Sequence, residues 1–204
     1  MNNFLIENHF QTSIYKIHKP EFLKPLIKAT DKYILDLKNK DKDKFGTVFH
    51  SLGIAKDKNF NELNSFIGES SYKILDQQGY DLTKYKLFIS EMWVQEFTKL
   101  GGGNHSPHIH WNGHISGFYF LKCSNKTSYP IFHDPRPGKM MNMLKQKNTN
   151  LLNYSTEQVY FKPIPGDMFF FNSYLSHEFP VDDGKDPFRF IHFNVQAINK
   201  VYEI

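Results

Sequence analysis

The sequence predicts a mainly β protein, a sandwich or jelly roll, with a helical arm packed on one outer face. Three observations carry this. Short runs rich in β-branched and aromatic residues follow one another from about residue 86, with no helical pattern between them. Turn chemistry separates them: Gly101-Gly102-Gly103, Asp134-Pro135-Arg136-Pro137-Gly138, Pro165-Gly166 and Asp182-Asp183-Gly184. Helical spacing is confined to the first third of the chain.

In chain order, Ser13 to His18 alternates like a short strand. Pro20 to Asn39 places Phe22, Leu26, Ile27, Ile34 and Leu37 on one helical stripe, and Pro20 is tolerated at a helix start. Asn61 to Leu75 reads as a second helix. The strands expected after it are Lys86 to Phe97, Ser116 to Lys122, Tyr129 to His133, Gln158 to Phe161, Asp167 to Phe171 and Phe188 to Ala197. Residues 1–85 are therefore expected to form an arm of the same domain and residues 86–204 the β core.

The 204 residues suit one domain. With 40% hydrophobic and 23% charged residues, the composition argues against disorder. The single Cys123 excludes an intramolecular disulfide and a Cys-rich zinc site. No apolar run is long enough to span a bilayer, and Met1 to Phe10 lacks a secretion-signal pattern, so a cytoplasmic setting is expected, with no membrane partner. The net charge of +4 comes from scattered Lys and gives no nucleic-acid signal. Only Arg136 and Arg189 are arginine among the 25 basic residues. In so Lys-rich a chain an Arg is either a chance surface residue or one kept for bidentate grip on a carboxylate.

Four of the ten His fall close together: His105, His108, His110 and His114. Strand residues i and i+2 face the same way, so His108 and His110 can address one ion. Imidazole suits iron, zinc, copper and nickel, and an open site with few protein ligands suits non-haem Fe(II). The competing reading is a polar loop with solvated His. The distal segment favours the metal: a Pro165-Gly166-Asp167 turn, the aromatic run Met168 to Phe171, then His177. A hairpin from that aromatic strand to Phe188–Asn194 would put His177 at a strand end. Arg189 would then lie deeper in a barrel, as an anchor for the far carboxylate of a dicarboxylic co-substrate.

These segments resemble the Fe(II)- and 2-oxoglutarate-dependent oxygenases. More narrowly, they are similar to a branch of short bacterial and phage proteins assigned to that superfamily. The resemblance rests on His108-Ile109-His110, Ser116 to Leu121, Asp134-Pro135-Arg136, the Pro-Gly-Asp turn with its aromatic strand, His177, and Arg189 to Asn194. It runs from about Trp93 to Ala197, half the chain. It implies a double-stranded β-helix, a distorted jelly roll, with Fe(II) as metal and 2-oxoglutarate as co-substrate. It implies His108 as first ligand, His177 as distal ligand, and Arg189 as partner of the 2-oxoglutarate C5 carboxylate. Ser116, Phe118 and Phe120 would share the face lining the co-substrate pocket, with Ser116 and Phe120 as contacts. The implied reaction hydroxylates a substrate C–H and releases succinate and carbon dioxide, on a small-molecule or peptide substrate.

One position departs from the pattern: His110 stands where the superfamily has a carboxylate. The in-register geometry favours His110 as third ligand, with Asp134 as the alternative. His105 and His114 are expected to be supporting or surface groups, His133 and His192 ordinary polar positions, and Trp93 and Trp111 core or pocket wall. Gly101 to Asn104 and Lys139 to Ser155 are the segments expected to choose the substrate. Two other functions fit the same residues. One is a three-His cupin-type dioxygenase that uses no 2-oxoglutarate and needs no Arg189. The other is a non-enzymatic jelly-roll binding module.

Overall fold

The computed structural model describes residues 5–41, 47–111, 113–137 and 144–202. Its elements run β1 (Ile14–His18), a 3-10 turn (Pro20–Phe22), α1 (Leu23–Lys40), β2 (Val48–His50), a 3-10 turn (Lys58–Phe60), α2 (Asn61–Gln77) and β3 (Tyr85–Phe97). They continue with β4 (His105–His108), β5 (Ile115–Lys122), β6 (Ile131–His133), β7 (Gln158–Tyr160), β8 (Asp167–Asn172), β9 (His177–Phe179) and β10 (Phe188–Asn199). Both helices and the long strands lie where the sequence pattern puts them. The short strands β2, β4 and β9 are not among those expected; none carries a run of β-branched or aromatic residues between turn signals.

Two antiparallel sheets form. The larger has the order β1-β8-β5-β10-β3-β2 and the smaller β4-β9-β6-β7. This is the expected jelly-roll arrangement, with one correction: β8 and β10 do not form a hairpin. β5 lies between them, paired to both, because the chain leaves β8 for the opposite sheet at β9 and returns.

Period-two alternation divides every strand of the larger sheet between two cores. Phe97, Phe118, Phe120, Phe169, Phe171, Phe188 and Phe190 point between the sheets, where Phe132, Leu175 and Phe179 of the smaller sheet and its connections meet them. Their intervening neighbours Met92, Val94, Tyr119, Leu121, Phe170, Ile191 and Phe193 point the other way. That outer face is covered by Phe22, Leu26, Ala29 and Ile34 of the first helical segment and by Leu63, Ile67 and Ile74 of α2. The arm therefore covers a buried apolar surface of the sheet. The inner layer is nearly all phenylalanine, with ring pairs such as Phe179–Phe190 at 4.7 Å and Phe118–Phe179 at 5.0 Å between centroids. Such contacts add modestly to the burial of each ring.

Two glycines are dictated by the fold. Gly166 has φ +93°, which a β-branched or bulky residue resists, in the turn that launches β8. Gly117 faces the outer core, where a Cβ would overlap the Phe193 ring and the Phe169 carbonyl. β5 can therefore pass between β8 and β10 only with no side chain there.

Candidate metal centre

β4 and β9 pair so that His108 and His177 are direct cross-strand partners. β4 ends at His108, and the chain turns with the His110 amide donating to the Ser173 carbonyl at 2.9 Å. That bond holds His110 against the turn between β8 and β9. The three rings converge, with centroids 4.4 Å apart for His108–His177 and 5.1 Å for both other pairs. One nitrogen from each ring lies within 4.8 Å of the others.

The outer nitrogens explain which atoms are offered. Nδ1 of His108 lies 2.7 Å from the Ser106 carbonyl and Nδ1 of His177 lies 3.0 Å from the Leu175 carbonyl. Each carbonyl can only accept, so the proton sits on Nδ1 and the lone pair on Nε2. The Nε2 atoms of His110 and His177 are buried without any hydrogen-bond partner. A buried polar atom left unpaired is costly, and a metal ion at the trio would satisfy both. Burial pushes His177 down to about 3 and His110 down to about 4, which keeps them neutral and able to ligate at neutral pH. The residues therefore fit a divalent transition metal bound by three imidazoles.

Asp134 does not join them. Its carboxylate accepts from the Arg136 side chain, with Nε at 2.9 Å, and from the Arg136 amide at 3.0 Å. It is the turn residue of Asp-Pro-Arg.

Arg189 is not in the barrel. It lies on β10 between Phe188 and Phe190, both inward, so alternation turns it outward toward α1. Its Nε and Nη2 each lie 2.6 Å from Oε2 of Glu96, and its Nη1 lies 2.6 Å from Asp31 and 3.2 Å from Thr30. The residue is only 3% exposed. The expected grip on a carboxylate is present, but the carboxylates belong to the protein, and Arg189 joins α1 to the sheet.

Ser116, Phe118 and Phe120 do share the inner face, but neither proposed co-substrate contact is open. Ser116 donates to Asn194 at 2.6 Å and lies 2.8 Å from the Ser173 hydroxyl, fully buried. Phe120 is fully buried among Phe169, Phe188 and Phe190.

Of the remaining His, His133 is an ordinary polar position, 3.2 Å from Glu178. His192 is not: it is buried, its ring stacked 4.4 Å from His110 and tilted against Trp93 at 4.3 Å, with Nε2 3.1 Å from Asn194. Burial holds it well below the usual imidazole range, so it is a neutral wall beside the trio. Trp93 is a wall as expected, whereas Trp111 is 90% exposed. Sequence reasoning missed Gln95 and Asn194, both buried on the inner face. The available signal was alternation: each is a polar residue in register with inward aromatics, Gln95 with Trp93 and Phe97, Asn194 with Phe190. Of the stretch 139–155, residues 139–143 lie outside the described residues.

Residues 91–194 match the family described as "Putative 2OG-Fe(II) oxygenase". No curated protein matches by sequence. Solved structures match across most of their length. An oxidoreductase of the 2OG-Fe(II) oxygenase family from Burkholderia pseudomallei is 9% identical, with TM-score 0.57 over 90% of this chain and 84% of that one. A prolyl-4-hydroxylase from Pseudomonas putida is 8% identical, with TM-score 0.56 over 91% and 89%. A Trichoplax adhaerens prolyl hydroxylase, solved with a peptide fragment of the hypoxia inducible factor oxygen degradation domain, is 9% identical, with TM-score 0.54 over 89% and 82%. At these identities the likeness is one of fold.

Proposed function

The chain belongs to the 2OG-Fe(II) oxygenase family, whose cofactors are Fe(II) and 2-oxoglutarate, and from that premise we propose that it hydroxylates a substrate C–H with release of succinate and carbon dioxide. The observation that carries this reading is the set of three converging imidazoles, two with buried and unpaired Nε2 atoms. His108, His110 and His177 would hold the iron, which supplies oxygen activation coupled to decarboxylation of the 2-oxo acid.

The chain's own groups do the rest. The Ser106 and Leu175 carbonyls fix the ligand tautomers. His192 and Trp93 wall one side of the trio. Phe118, Phe132 and Phe171 surround His177 at 4.8–6.0 Å between centroids and exclude water from the inner side. A groove of about 1060 Å³ runs beside Trp93, lined by His50, Leu52, Lys56, Phe88 and Glu91. It offers a substrate both apolar and charged contacts, and the peptide held by the Trichoplax enzyme makes a peptide segment a reasonable occupant.

One observation favours a second reading, a three-His dioxygenase that needs no 2-oxoglutarate. Arg189 faces away, and the rings packed around His177 on the inner face, Phe118, Phe132 and Phe171, are apolar. The discriminating experiment is anaerobic loading with Fe(II), followed by 2-oxoglutarate titration and then a succinate assay in air against peptide and metabolite pools. Saturable 2-oxoglutarate binding with oxygen-dependent succinate formation supports the first reading. Iron binding with no 2-oxoglutarate binding overturns it in favour of the second.

A further inference from the structure

β3 is 13 residues long, and its two neighbours cover it unequally. β10 pairs with it from Tyr85 to Phe97, whereas β2 pairs only with Gln95–Phe97. Past β2 the same chain follows the edge a little further. The Ser51 amide donates to the Val94 carbonyl at 3.0 Å and the Ile54 amide to the Met92 carbonyl at 2.8 Å. It then turns off, with the Asp57 amide donating to the Ile54 carbonyl at 3.0 Å. At Leu87 and Ile89 that edge of β3 has no strand beside it among the described residues.

The phase of the ladder shows which groups face the gap. The Lys200 amide donates to the Lys84 carbonyl at 2.9 Å, and Lys86 and Phe88 stand opposite Ile198 and Gln196 in the same register. Hydrogen-bonded and non-bonded positions alternate along an antiparallel pair. Residues 84, 86 and 88 therefore turn their backbone groups to β10, and Leu87 and Ile89 turn theirs away. The register shift that skips Ser90 keeps this run in line with Met92 and Val94, whose carbonyls face the same edge. The N–H and C=O groups of Leu87 and Ile89 thus point off the sheet, and no hydrogen bond meets them among the described residues.

The groove beside Trp93 lies against these groups, with Asn64, Ser65 and Gly68 of α2 as its other wall. A Cβ on Gly68 would meet nothing within 4 Å, so the helix leaves room for another chain. One end of the groove is the metal side. Glu91 there accepts from Asn194 at 2.8 Å, and the Trp93 ring lies 6.3 Å from the His110 ring. Lys56 stands exposed on the rim and forms no ion pair among the described residues, which favours an acidic side chain on the occupant. A row of donors and acceptors at strand spacing matches an extended backbone, and strand addition to a free edge is how such a row is met.

We infer that an extended peptide segment bearing an acidic side chain adds to β3 as a strand, hydrogen-bonded to Leu87 and Ile89. Its alternate side chains fall on the Glu91 and Trp93 face, toward the trio. That this peptide is the substrate rests on the oxygenase reading above; the pairing itself does not.

The test reads binding, not turnover. Anaerobic Fe(II)-loaded protein is screened against a random decapeptide library, and the tightest binder is remade with one N-methyl group at each position in turn. Affinity, read by fluorescence polarisation, should fall about tenfold or more at every second position of the paired stretch and little between. Ile89→Pro removes an N–H that the sheet does not use, which an edge tolerates, and puts a ring in the gap. Gly68→Leu fills the groove from α2 and favours the helix, so it serves if the proline variant folds poorly. Each should weaken the binder about tenfold or more and leave Fe(II) stoichiometry unchanged, and Lys56→Glu should weaken it about threefold or more. No binder, loss on N-methylation without alternation, or full affinity in both Ile89→Pro and Gly68→Leu overturns the pairing. Full affinity in Lys56→Glu overturns the acidic side chain. A free edge also invites a second copy. Wild-type dimerisation that Ile89→Pro abolishes makes that copy the occupant and overturns the peptide. Alternating peptide binding without iron-dependent succinate formation supports the pairing and overturns the functional reading.

Discussion

Arg189 and Glu96 stand as cross-strand partners on β10 and β3 and meet at 2.6 Å on the helix-facing side of the sheet. Glu96 also accepts from Lys38 of α1 at 2.5 Å, and Arg189 reaches Asp31 of the same helix. The pair is a buried ionic joint between helix and sheet. Removing one partner leaves the other charge uncompensated. Arg189→Ala is expected to destabilise the fold by about 3–5 kcal/mol, read as a lower urea midpoint. The metal stoichiometry of the folded fraction should be unchanged. A variant with full stability and lost co-substrate binding would contradict this placement.

The third ligand can be decided by two substitutions. His110→Ala removes a ring whose Nε2 has no other partner and should abolish tight metal binding. Asp134→Ala breaks the contacts with Arg136 and should leave metal binding intact. Cobalt(II) titration followed by visible absorption measures both, and the opposite pattern would make Asp134 the ligand.

Stability of the metal-free protein should fall in mild acid. Folded His177 and His110 titrate at about 3 and about 4, below the usual 6.5, because burial disfavours their charged forms. As pH falls through 6.5 the unfolded chain takes up protons that the folded chain refuses. The unfolded state then binds more protons, so unfolding free energy drops with decreasing pH. The window runs from about 6.5 down toward 4. Denaturant midpoints between pH 7 and 5 avoid most carboxylate titration, and a flat profile there would argue against buried neutral rings.

Gly117→Ala should be among the most damaging small substitutions in the chain. Its methyl group would overlap the Phe193 ring and the Phe169 carbonyl, and a backbone oxygen in a paired strand cannot easily move. Overpacking of this kind costs about 1–3 kcal/mol or more. Ala at Gly53, where a Cβ meets nothing within 4 Å, is the matched control. Equal thermal midpoints for the two variants would contradict the packing account.

The sequence revealed much of the fold because long elements announce themselves. Helical spacing marked α1, α2 fell on the second helix candidate, and runs rich in β-branched and aromatic residues between turn signals marked β3, β5, β8 and β10. The short strands β2, β4 and β9 are rich in His and lack a run of β-branched or aromatic residues, so they did not register, although β4 and β9 carry His108 and His177. The His cluster was visible in the sequence, but for a different reason than the structure gives: His-x-His spacing put His108 and His110 on one strand face, whereas β4 ends at His108 and His110 is brought beside it by its amide bond to the Ser173 carbonyl. Arg189 was misplaced because strand phase was not applied to it: Phe188 and Phe190 point inward, so the residue between them must point out. The same phase on β3 would have drawn attention to Gln95.

His108 and His177 are 69 residues apart in the chain, and β4 is an edge strand of its sheet, held there by β9 alone. An ion shared by the trio would therefore act as a cross-link that closes a long loop. The unfolded chain does not hold the three rings together, so the ion is lost on unfolding and stabilises the folded state by mass action. It would also rivet an edge strand of the smaller sheet to its single neighbour. Amide exchange along His105–His108 should slow on metal addition far more than exchange in the central strand β5, which makes the iron a fastener of the sheet edge as well as a reagent.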